Sequence, residues 1–108
     1  MRNTPTISWL HIRTLAERWD WTVTDRQGRA TTATGHNPPK DAKGKRQHPF
    51  FIKYVTKHGH VEQGMVITCK VTSTARHQRM VKFVESGQVR IVNDLLVMQI
   101  DGFRVVAG

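Results

Sequence analysis

The residues whose spacing points most directly to shared chemistry are cations that alternate with apolar neighbours. Lys70 precedes Val71, Lys82 precedes Phe83, Arg90 precedes Ile91 and Arg104 precedes Val105. Successive side chains on a strand leave opposite faces, so each cation is expected on the face away from its apolar neighbour. Four adjacent strands then gather Lys70, Lys82, Arg90 and Arg104 on one exterior basic face. Arg76, His77 and Arg79 fall in or beside the loop joining two of these strands, and Glu85 is the only acid between Lys70 and Arg90. Such a face suits phosphate, because each Lys or Arg that neutralises a phosphate releases condensed counterions. The same pattern has a plainer use, since cations at solvated strand positions discourage edge-to-edge pairing.

A second basic element lies at Lys40, Lys43, Lys45 and Arg46, where Asp41 is the only acid. A flexible cationic segment of this kind can order on phosphate, with Lys43, Lys45 and Arg46 as its contacts, or it can be a solvated linker. Aromatic residues able to stack on bases are few: Phe83 and Phe103 read as inward-facing, which leaves Trp9, Trp19, Trp21 and Tyr54. Recognition of single strands by stacked bases is therefore poorly supported.

Other chemistry finds less support. Cys69 is expected on the apolar face of its strand with Met65, Ile67 and Val71, where a thiol is inert packing. Ser73 and Ser86 have no base and orienting group assigned to them, and Asp94 and Asp101 sit at turns where carboxylates serve the backbone. Gly59, Gly64 and Gly87 are isolated turn glycines, not a phosphate loop. His58 and His60 could share one face of a strand as metal ligands, but Gly59 argues for a turn, and nothing selects a third ligand among Cys69, His77 and Glu62. Leu15 to Trp19 has the flavour of a helix-turn-helix, yet the residues after it read as strands and leave no recognition helix. No catalytic residue, metal or cofactor is assigned, and the expectation is a binding protein, not an enzyme.

Composition points the same way. Seventeen Lys and Arg stand against 8 Asp and Glu, a formal net charge of +9, and such an excess favours anionic partners. The expected partner is DNA or RNA, held through backbone phosphates. The alternative is a protein–protein interaction or structural module of a larger assembly, in which the basic face meets an acidic protein or the chain self-associates. One cysteine forms no intramolecular disulfide, which suits a reducing compartment. The longest aliphatic run, 95–98, is far too short to span a bilayer, and the N-terminus lacks an apolar signal stretch, so a cytoplasmic protein with no membrane partner is expected.

The elements that must position these residues read as one domain over 1–108. Trp9, Ile12, Ala16 and Trp19 recur at helical spacing while Ile7 to Ile12 also reads as a strand; Thr14 with Glu17 has the form of a capping box, so a short N-terminal helix is the expectation, starting as late as Thr14. A hairpin turning at 25–28 completes residues 1–34. Residues 35–49, with three prolines and no apolar periodicity, read as a mobile basic loop. Residues 50–108 alternate short β-branched or aromatic runs with polar turns, clearest at Asp101-Gly102. That texture implies a mainly β fold, a small partly open barrel formed by an SH3-like meander of five or six strands. The α+β alternative packs the helix on an antiparallel sheet.

Overall fold

The computed structural model describes residues 4–73 and 76–107, and of 70–73 the backbone alone. The chain begins with a three-residue strand, β1 (Thr6–Ser8), then a 3-10 turn (Trp9–His11) and a five-residue helix, α1 (Ile12–Ala16). Ser8 caps this segment by accepting the Leu10 N–H on its hydroxyl at 3.2 Å. Thr14 lies inside the helix, so the capping box expected there is absent. Glu17 instead takes the Arg13 Nε at 2.8 Å, one helical turn away. Ile12 and Ala16, four apart and so on one face, are both buried.

Two strands and a turn follow: β2 (Trp19–Thr24) and β3 (Ala30–Gly35), paired antiparallel from Trp19–Gly35 to Thr24–Ala30. The Asp25 carboxylate closes the turn by accepting the N–H groups of Gln27 and Arg29. Residues 35–49 are not one loop, because β4 (Lys43–Gln47) pairs with the other side of β2. No apolar residue announces β4. It is held by the open edge of β2, with Gly44 at φ +67° in the irregularity that lets Lys43 face Thr22 and Arg46 face Asp20. A Cβ on Gly44 would lie 2.9 Å from the Thr22 hydroxyl. The three strands form a separate sheet, ordered β3-β2-β4, referred to below as the wing.

The rest of the chain forms β5 (Phe50–Val55), β6 (Val61–Ser73), β7 (Gln78–Phe83), β8 (Val89–Asn93), a 3-10 turn (Asp94–Leu96), β9 (Val97–Ile100) and β10 (Phe103–Val106). With β1 they make a seven-stranded sheet in the order β1-β10-β9-β5-β6-β7-β8. The fold is mainly β with one short N-terminal helix, as the sequence implies. Within it β5 to β8 run as a meander, and β9 returns to pair with β5. The sheet is not a closed barrel: among the described residues β1 and β8 are its two edges. Phe50, Ile52, Tyr54, Val66, Val81, Val92 and Ile100 fill its interior face, with Ile12 and Ala16 of α1 against them. The radius of gyration, 15.5 Å, exceeds the about 13 Å of a compact chain this long, and the longest extent is 51 Å.

Two parities differ from expectation. On β6 the interior residues are Val66 and Thr68, while Met65 and Cys69 are exposed. Thr68 turns inward at 6% exposure because its hydroxyl donates to the Ala16 carbonyl at 2.7 Å, giving the end of α1 a partner. The register of β6 against β7 shifts between Thr68 and Lys70, leaving Cys69 as the extra residue. On β8, Val92 is interior and Ile91 is 60% exposed.

Candidate functional site

The four strand cations do not form one face. Lys82 is exposed on the exterior of β7, opposite Ile67. Arg104 is exposed on the exterior of β10, with β9, β5 and β6 between its strand and β7. Arg90 stands across from Val81, which is fully buried, and so belongs to the interior face near its rim. Lys70 is in register with Met80, and its side chain lies outside the described residues. The expectation failed at Ile91: the apolar neighbour used to orient Arg90 is itself on the exterior.

Arg79 is a second correction. It is buried, its Nε and Nη2 donating to Asp94 at 2.8 and 2.7 Å, and its Nη1 is 3.8 Å from Glu17. A guanidinium enclosed this way ties β7 to α1 and to the turn before β9, and it is not available to a phosphate. Asp94 serves Arg79 rather than a turn backbone. Asp101 does serve backbone, accepting the Phe51 N–H at φ +49°, and it also accepts Arg18 at 2.8 Å. Arg76 is exposed in the turn before β7.

The second basic element is brought together. β4 is an edge of the wing, and Lys43, Lys45 and Arg46 are all exposed along it. Register puts Lys43 and Arg46 on the wing face that carries Asp20, Thr22, Thr32 and Thr34. The exposed Thr22 and Thr32 share this face with the two cations, and Lys40 is exposed just before β4.

Most carboxylates are committed elsewhere, the exposed Asp41 beside Lys40 and the exposed Glu85 being the two acids outside the ion pairs. Asp20, at the base of the wing, accepts the Thr34 hydroxyl at 2.7 Å and the His48 Nδ1 at 2.9 Å, while the Arg46 Nε stands 4.0 Å away. The Thr34 hydrogen bond, chiefly, holds the Asp20 carboxyl below its ordinary value against the cost of burial, and His48 adds to it. An Asp–His pair can orient an imidazole for base catalysis, but the only hydroxyl in this cluster, that of Thr34, donates to Asp20 and not to His48. The cluster braces the wing. In all, Glu17, Asp20, Asp25, Glu62, Asp94 and Asp101, six of the eight acids, are paired with Arg or His. Among the described residues Lys40, Lys43 and Lys45 have no ion-pair partner.

A cluster the sequence did not signal lies at the rim of the seven-stranded sheet. Tyr54 donates to Glu62 at 2.8 Å, and the Arg90 Nε is 3.6 Å from the same carboxylate. Burial, then Glu62, raises the Tyr54 phenol above its ordinary value, so it stays a donor. These three residues face a groove of about 820 Å3 between the β5–β6 turn and β8. Only side-chain parity on three strands at once could have revealed it. Among the described residues, no three His, Cys, Asp or Glu side chains group as a metal site, and no helix is long and apolar enough to cross a membrane. No protein-family model, curated protein or solved structure matches the chain.

Proposed function

We propose that this protein is a non-enzymatic binding module that holds nucleic acid, DNA or RNA, through its backbone phosphates, with strand β4 of the wing as the main contact. One observation supports this most: Lys43 and Lys45 lie on an exposed edge strand without a carboxylate partner among the described residues, while six of eight acids are engaged elsewhere. Their charge is available to a ligand at no cost in broken ion pairs. The neighbouring hydroxyls of Thr22 and Thr32 can donate to phosphate oxygens, a contact that positions a strand without reading bases. Edge-strand cations also keep β4 from pairing with other chains, a role that coexists with binding.

Fluorescence anisotropy with labelled DNA and RNA oligonucleotides of mixed sequence tests the reading. With three phosphates neutralised, affinity is expected to fall about 20- to 40-fold between about 50 and 200 mM KCl, with little dependence on sequence. Absence of binding at low salt, or binding that ignores salt, overturns it.

A further inference from the structure

We propose a second binding site, separate from the wing: the free edge of β8 takes an extended peptide segment of a partner protein in which acidic and apolar residues alternate. The backbone sets the first requirement. Phe83 donates to the Gln88 carbonyl, and Asp94 donates to the His77 carbonyl, both at 2.8 Å. Alternation in an antiparallel ladder then turns the N–H and C=O groups of Gln88, Arg90, Val92 and Asp94 toward β7 and those of Val89, Ile91 and Asn93 outward. Val89, Ile91 and Asn93 line the groove beside the edge, so a peptide in the groove meets a row of outward-facing backbone groups. Addition of a strand to such an edge is a common mode of peptide recognition.

The side chains set the rest. On the exterior face, Val89 and Ile91 are 44% and 60% exposed and call for apolar partners. On the interior face the edge carries Arg90, and Lys57 lines the same groove from the β5–β6 turn. Arg90 and Lys57 stand against one carboxylate, Glu62, which also accepts the Tyr54 hydroxyl, so the groove keeps an excess of positive charge and is complementary to acid. A strand added to β8 places alternate residues on these two faces, which makes alternation itself the recognised feature. Arg90 Nη1 donates to the Val89 carbonyl at 3.0 Å, covering the edge from its own side chain. An arriving peptide exchanges that bond for its own N–H and offers Arg90 a carboxylate.

The test uses the full chain and three synthetic peptides: one alternating Glu with Val, one of the same composition with the Glu and Val residues in separate blocks, and the alternating peptide N-methylated at every second residue. The alternating peptide is expected to shift the amide resonances of β8, to slow exchange of the Ile91 or Asn93 N–H, and to bind at least tenfold more tightly than either control. Arg90→Glu is expected to abolish its binding, whereas Lys43→Glu with Lys45→Glu leaves it unchanged, so failure here and failure of the nucleic-acid reading are separate results. Equal binding of the blocked peptide, resonance shifts confined to the wing, or an Ile91 N–H already protected by β8–β8 pairing in a dimer overturns the proposal.

Discussion

Arg79 and Asp94, fifteen residues apart, meet fork to fork inside the fold, with Nε–Oδ1 at 2.8 Å and Nη2–Oδ2 at 2.7 Å. The same guanidinium reaches toward Glu17 at the end of α1. One cation thereby joins the meander, the turn into β9 and the N-terminal helix. Removing one member of such a pair strands a buried charge, whereas replacing both with apolar groups does not.

Asp94→Ala is accordingly expected to destabilise the protein by about 3–5 kcal/mol, and Arg79→Met combined with Asp94→Leu by much less. Urea unfolding followed by tryptophan fluorescence measures both. If Asp94→Ala costs nothing, the pair is not the tie between these elements.

The inverted parity of β6 predicts that Cys69 reacts with a thiol reagent in the native state, and that Thr68→Val, which removes the donor to the Ala16 carbonyl, costs about 1 kcal/mol. Ellman's assay without denaturant reads the first and urea midpoints the second. A native thiol that reacts only on unfolding would restore the opposite parity.

Asp20 gives the wing a pH limit. Its carboxyl is held below the ordinary value, so its stabilising effect is complete above the unfolded-state value of about 4 and is lost as pH falls through the lower folded value. Thr34→Val removes the largest cause of that shift, and is expected to shrink the loss of stability on acidification below about pH 4. Stability measured across acid pH tests this; an unchanged acid limb in the variant would remove Asp20–Thr34 from the account of the wing.

Much of the fold is legible in the sequence, and what is not has identifiable causes. β5 stands out because β-branched and aromatic residues dominate it, β7 shows through Val81 and Phe83 alternating about Lys82, and the turn at Asp101-Gly102 announces itself by residue type. Parity on β6 is not legible, since the more apolar alternate set, Met65 and Ile67, lies on the exterior, while the interior set includes Thr68, whose burial depends on a helix carbonyl far away in sequence. β8 misleads in the same way through Ile91. β4 has no apolar residue at all and exists because β2 offers it an edge. The basic candidates divide accordingly. Lys43, Lys45 and Arg46 sit together, Lys82 and Arg104 are apart, Arg90 is at the rim of the interior, and Arg79 is inside.

The most direct test of phosphate binding by β4 is the slope of log affinity against log salt for nucleic acid, compared between the unaltered protein and Lys43→Glu with Lys45→Glu. Loss of two phosphate contacts is expected to flatten the slope by about 1.4 on single strands and about 1.8 on duplex, with unfolding by urea unchanged. Identical slopes in the two proteins would contradict the assignment of the contact to β4.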